Sequence, residues 1–144
     1  MYQKWFLFGG TVGLFILSLL DKLAFDHYLY WRFPWFDIVM HLIGGVAIGL
    51  VSIYFYWEWQ KRKFAKNPDE ENSNLIDRKL YYLYNLGFIL VVGLGWEIFE
   101  ILIDRITRFN LENVLKDLLF GIIGSLSVGI FVLWIHNYNL KKLK

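Results

Sequence analysis

Four stretches, residues 5–20, 38–57, 80–96 and 118–135, contain no Asp, Glu, Lys or Arg. Each is close to the ~20 residues that a helix rising ~1.5 Å per residue needs to cross a ~30 Å hydrocarbon core. Lipid offers no partners to backbone N–H and C=O groups, so runs of this kind satisfy them internally, as helices. A soluble four-helix bundle would need a polar stripe along each helix, and "FGIIGSLSVGIFVLWI" has none. The 57% hydrophobic and 20% aromatic content fits the same reading. The expectation is an all-α polytopic membrane protein: one domain over residues 1–144, with four transmembrane helices at about 4–21, 36–58, 79–103 and 114–136. The first run resembles a secretory signal in having Lys4 before an apolar core. No small-x-small cleavage site follows it, so it is read as a retained first helix.

Charge orients the spans. Of the 15 Lys and Arg residues, ten fall before the first run, in the second connection and after the fourth run, and five in the other two connections. The positive-inside rule therefore predicts two hairpins that turn on the outer side, with both termini and a loop over 59–78 in the cytoplasm. "KRKFAKNPDEENSNLIDRK" carries mixed charge, three Asn and the Pro68 break, which reads as a solvated loop whose basic start meets anionic headgroups. Tyr81, Tyr82 and Tyr84 on one side, and Trp31, Trp35 and Trp96 on the other, fit interfacial aromatic belts.

Several functions are excluded or unsupported. With no cysteine, disulfides and thiolate metal sites are ruled out. A net charge of +2 gives no footing for nucleic acid. No nucleophile elbow, phosphate-cradling glycine loop or zinc-protease HExxH motif occurs.

The polar residues that do occur near the runs converge in depth. In "FPWFDIVMHLIGG", Pro34 suits a helix start, and Asp37 and His41 lie one turn apart on one face. The third span runs outward, so Glu97, Glu100 and Asp104, at i, i+3 and i+7, form a stripe near its outer end. The fourth span enters through "NVLKDLLFGIIGS", with Asp117 in its first turns, where a capping or dipole role is the simpler alternative. His41, Glu97, Glu100 and Asp117 then lie within roughly 5–10 Å of the outer boundary. Gly44, Gly45, Gly49, Gly93, Gly121, Gly124 and Ser125 continue the same faces and would let the second, third and fourth spans approach closely. Asp21, Asp26 and His27 fall in the first connection, where solvation accounts for them, with Asp26 and His27 in reach of the same mouth. Glu58 and His136 fall at cytoplasmic ends.

One imidazole with three or four carboxylates is a hard-to-borderline ligand set, suited to Mg²⁺, Mn²⁺, Ca²⁺ or Zn²⁺. Asp37, His41, Glu97, Glu100 and Asp117 are thus candidate metal ligands, with Glu97 or Glu100 as candidate general base. On this reading the protein is a membrane enzyme acting on a phospholipid or polyprenyl-phosphate headgroup, with membrane lipids as partners. Without a metal, the same carboxylates would bind protons or a cation for transport, and so thin a transporter calls for a homodimer. A third reading is an accessory protein whose polar cluster only fixes helix packing.

Taken in order, "FDIVMHLIGG", "GWEIFE" and "NVLKDLLFGIIGS" resemble the blocks of YjdF-like bacterial inner-membrane proteins and, more distantly, VanZ-like proteins. The resemblance covers residues 36–130 and implies a bacterial cytoplasmic membrane, and its VanZ-like side a link to envelope lipids. It implies the same residues, Asp37, His41, Glu97, Glu100 and Asp117, without supplying a reaction. Where this chain has Asn113, the YjdF-like block often carries a further Asp.

Overall fold

The computed structural model describes residues 3–66, 78–102 and 110–142, and among them every regular element is a helix. These are α1 (Gln3–Asp26), the short α2 (Leu29–Arg32), α3 (Trp35–Lys66), α4 (Arg78–Leu102) and α5 (Leu111–Lys142). Four of them, α1, α3, α4 and α5, are long and apolar enough to cross a membrane, as the four charge-free runs require. The chain is an all-α, multi-pass membrane protein. Asp104 and the side chain of His136 lie outside the described residues, as does most of the 59–78 loop.

The helices run further than the apolar runs. α3 continues to Lys66, so the connection expected from residue 59 starts later. The reason is local: Gln60, Lys61, Arg62, Lys63 and Ala65 are strong helix formers, and no breaker comes before Pro68. Lys61 also pairs with Glu58 one turn back at 2.7 Å. α1 likewise continues past residue 21 to Asp26. α5 starts at Leu111 rather than 114, because the Asn110 side-chain oxygen accepts a 3.0 Å hydrogen bond from the Glu112 N–H and caps the helix there. Capping therefore falls to Asn110, and Asp117 stands nearly two turns inside.

α3 is the hub. It packs against α1, α4 and α5, while α4 and α5 also pack on each other. The α3–α5 contact depends on glycine. A Cβ on Gly45 would collide with the backbone carbonyl of Gly121, and one on Gly124 with that of Leu42. Lipid tails are as apolar as Leu, so close backbone packing of this kind, rather than water exclusion, holds the helices together. The expected glycine convergence is thus largely a two-helix seam. Gly44 faces Leu17 of α1 instead, and Gly93 meets only the Leu118 side chain of α5.

Toward the other end of the bundle the core is aromatic: Tyr56 and Tyr81 stack edge to face at 5.3 Å beside Ile53, Val132 and Leu133. Tyr81 was expected in an interfacial belt but is fully buried, facing α3 rather than lipid. Trp31 and Trp35 are exposed, as the belt reading requires.

Candidate functional site

The site forms where α1, α3, α4 and α5 open apart at the α2 end of the bundle. α3 carries Asp37 and His41 one turn apart on one face, and the α3–α5 seam brings Asp117 of α5 to the same imidazole. Nε2 of His41 lies 3.5 Å from Oδ1 of Asp37 and 3.8 Å from Oδ1 of Asp117. Ligand atoms of all three residues lie within 4.8 Å of one another. Ligands ~2.0–2.2 Å from one ion lie roughly 3–3.6 Å apart, so the trio would have to draw closer together to hold a small divalent cation.

Glu97 and Glu100 line the same space from α4. Glu97 is buried, and both glutamates interact electrostatically with His41. The Trp96 indole N–H donates to the Glu100 carboxylate one turn on, which orients it. Neither glutamate joins the close trio, so of the five residues expected to gather, three form the tight group and two stand beside it.

Two residues escaped the sequence reading. Asp21, assigned there to solvation, points into the site from α1, and the Tyr30 hydroxyl donates a 2.7 Å hydrogen bond to its Oδ1. The signal for Asp21 was available: Leu14, Leu17, Ser18 and Asp21 share one helical face, and all line the cavity. For Tyr30 there was none. Its position depends on Tyr28, whose left-handed backbone (φ 56°) ends α1 and turns the chain into α2 without the usual glycine. Asp26 and His27, expected within reach of the mouth, line neither cavity. The His27 ring nitrogen Nδ1 instead pairs with the Leu23 carbonyl at 2.9 Å.

Two cavities meet at this cluster. The inner one, about 220 Å³, is walled mainly by apolar side chains such as Leu17, Ile48, Ile89 and Val92 and reaches down to them between the helices. The outer one, about 410 Å³, is edged by polar groups that include Asn110, Asn113 and Lys116. Asp21, Tyr30, Asp37, Glu97, Glu100 and Asp117 border both. Five carboxylates thus face one space, and among the described lining residues Lys116 is the sole Lys or Arg. Such an excess of acid in a low-dielectric setting calls for protons or a bound cation.

The sequence model of a family described as "Predicted membrane protein (DUF2238)" matches residues 1–138. The chain belongs to the DUF2238 family. The match takes in all four spanning helices of the DUF2238 chain and so every residue of the cluster, including the α1 and α2 parts that lay outside the 36–130 resemblance. No curated protein and no solved structure matches it.

Proposed function

We propose that this protein is a metal-dependent membrane enzyme of the bacterial cytoplasmic membrane, acting on the phosphate headgroup of a phospholipid or polyprenyl lipid at the outer leaflet. The observation that carries the reading is the position of His41 Nε2 between carboxylates of two different helices, at the junction of an apolar and a polar cavity. Asp37, His41 and Asp117 would hold a divalent cation, with Mg²⁺ or Mn²⁺ favoured by the oxygen-rich set. When bound, the cation would supply positive charge against a phosphate oxygen, which a site with five carboxylates would otherwise repel. Glu97, buried at the edge of both cavities, would take a proton from water as its oxygen bonds to phosphorus, and Glu100, oriented by Trp96, would be the alternative base. The bond from phosphorus to the lipid alcohol then breaks, and the alcohol oxygen takes up the proton. The YjdF-like resemblance of the three blocks supports the bacterial membrane, and its VanZ-like side supports an envelope lipid.

Metal analysis of detergent-purified protein, wild type beside His41→Ala and Glu97→Gln, tests this. The expectation is about one Mn²⁺ per chain in wild type and in Glu97→Gln, loss in His41→Ala, and phosphate release from phosphatidic acid or a polyprenyl phosphate only in wild type. No metal in any of them, with both variants unchanged in stability, ends the enzyme reading. The outer-leaflet assignment rests on the ten-to-five division of Lys and Arg. A reporter fused after Lys144 that proved periplasmic would move the site to the cytoplasmic face.

A second reading, proton or cation transport, draws support from one further feature. Deeper in the bundle, Ser125 donates to Asn85 at 2.5 Å, and the Asn85 amide lies near the Tyr81 hydroxyl without a well-aligned hydrogen bond. Ile89, one turn from Asn85, separates that buried polar group from the cluster above. Cation flux in proteoliposomes that depends on Glu97 and rises in Ile89→Ser would favour transport over catalysis.

A further inference from the structure

Among the described residues, the α1 backbone comes close to α3 and α2 and not to α4 or α5. The gap between α1 and α4 is the inner cavity itself, with Leu14 and Leu17 on one wall, Ile89, Val92 and Trp96 on the other, and Gly44 on the floor. Its rim stays open: Leu14, Val92 and Trp96 are 36%, 38% and 39% exposed. In a protein whose long helices span the membrane, what lies beside that rim is bilayer. Along α3 the cavity follows the helix from Asp37 to Ile48, and along α4 from Glu100 to Ile89. Eleven residues of rise are ~16 Å, about half of the hydrocarbon core. The cleft is therefore a leaflet-deep slot, apolar at its inner end and acidic at its outer end.

We propose that this slot is a lateral portal for a lipid phosphate: the tail lies between α1 and α4, and the head meets the Asp37–His41–Asp117 group through a divalent cation. The head contact rests on the function proposed above; the tail contact does not. A soluble phosphate would use the polar outer cavity and leave the apolar slot without a role. A second copy of the chain, sealing the slot with an apolar ridge, would bury unneutralised carboxylates at its top, which is costly. A membrane amphiphile satisfies both ends at once, and it reaches the slot without leaving the bilayer.

The probe is a phosphatidic acid with a photoreactive diazirine midway along one acyl chain, carried in phosphatidylcholine vesicles with Mn²⁺, and the adducts are mapped by mass spectrometry. In wild type, adducts are expected on Leu17, Ile89 and Val92, several-fold above those on the outward-facing Phe15 and Val91. Excess unlabelled phosphatidic acid should remove them, and inorganic phosphate should not. Val92→Trp, filling the slot from α4, should lose these adducts yet keep Mn²⁺ binding. Leu17→Trp fills it from α1 and serves if the first variant does not fold. Adducts spread evenly over the outward faces, with Mn²⁺ still bound, overturn the portal and leave the metal reading standing. Slot adducts that persist without Mn²⁺ and in His41→Ala keep the portal and overturn the metal-held head. The chain has no native cysteine, so Val92→Cys reports on a second copy. Efficient disulfide formation between copies, without slot adducts, overturns the lipid occupant, and so does equal competition by inorganic phosphate.

Discussion

The Tyr30 hydroxyl donates a 2.7 Å hydrogen bond to Oδ1 of Asp21, which ties α2 to α1 across the mouth of the carboxylate cluster. The four-residue α2 has no buried residue of its own; its Tyr30 ring meets Phe36 edge to face at 5.5 Å, and its Trp31 ring lies against Phe25 at 5.8 Å and Tyr28 at 5.6 Å. Its placement therefore depends on this bond and these ring contacts. Burial, the bond to Asp21 and the nearby carboxylates of Asp21, Asp37 and Glu100 all disfavour the phenolate and hold the hydroxyl protonated far above the ordinary tyrosine range.

Alkaline sensitivity follows from that shift. A tyrosine whose folded value is raised contributes stability that is complete below its unfolded value of about 10 and is lost as pH rises above it. Wild type should lose thermal stability in detergent as pH climbs past that point, and Tyr30→Phe should lose less of it. Melting curves of the two proteins at neutral and alkaline pH decide the matter. Parallel losses in both would mean that Tyr30 ionises freely and that the bond to Asp21 does not hold it.

The helix seam makes a second prediction. At Gly45 a methyl group would meet the Gly121 carbonyl, which is backbone and can yield only if α5 moves. At Gly95 nothing lies within 4 Å. Overpacking at a tight contact costs typically ~1–3 kcal/mol. Gly45→Ala should therefore lower the unfolding free energy by about that much in a denaturant titration, and also weaken metal binding, because the seam sets the distance from His41 to Asp117. Gly95→Ala should change neither. Equal behaviour of the two variants would remove the close crossing from the account.

These residues also mark what could be read without coordinates. The spans were legible because four charge-free runs leave a chain few alternatives in lipid. The Asp37–His41 pair was legible because a four-residue spacing on a helix is a contact in itself. Asp117 was reachable only through a depth argument, and the α3–α5 crossing brings it to His41. Tyr81 was misplaced because an aromatic at the end of a run can face lipid or a neighbour with the same local pattern, and here Tyr56 is the neighbour. The Asp21–Tyr30 contact could not be anticipated, since it depends on a left-handed tyrosine that no residue preference announces.

Removal of the Ser125 hydroxyl should show how much the buried polar group contributes. Its 2.5 Å bond to Asn85 joins α5 to α4 away from water. Interhelical hydrogen bonds in membrane proteins average ~0.6 kcal/mol and reach ~1.7. Ser125→Ala should cost an amount in that range, leaving the Asn85 oxygen without its donor. A destabilisation well beyond it, together with lost function, would mean that Asn85 and Ser125 serve a pathway through the bundle as well as packing.

The two acids beside His41 are not equivalent. The Asp117 side chain is 11% exposed and that of Asp37 is 44%. Solvent screens the charge of Asp37 more strongly, so the buried Asp117 should contribute more to holding a cation, even though Asp37 lies 0.3 Å nearer to the imidazole (3.5 against 3.8 Å). Loss of outer-shell partners at metal sites already costs ~10–100-fold in affinity, and loss of a direct ligand should cost at least as much. Titration of Mn²⁺ into the detergent-purified protein should give a larger loss for Asp117→Asn than for Asp37→Asn, with high salt narrowing the effect of Asp37 more than that of Asp117. The reverse order would place the cation on the outer side of His41, bound mainly from the polar cavity, and would make Asp117 a partner of the imidazole rather than of the metal.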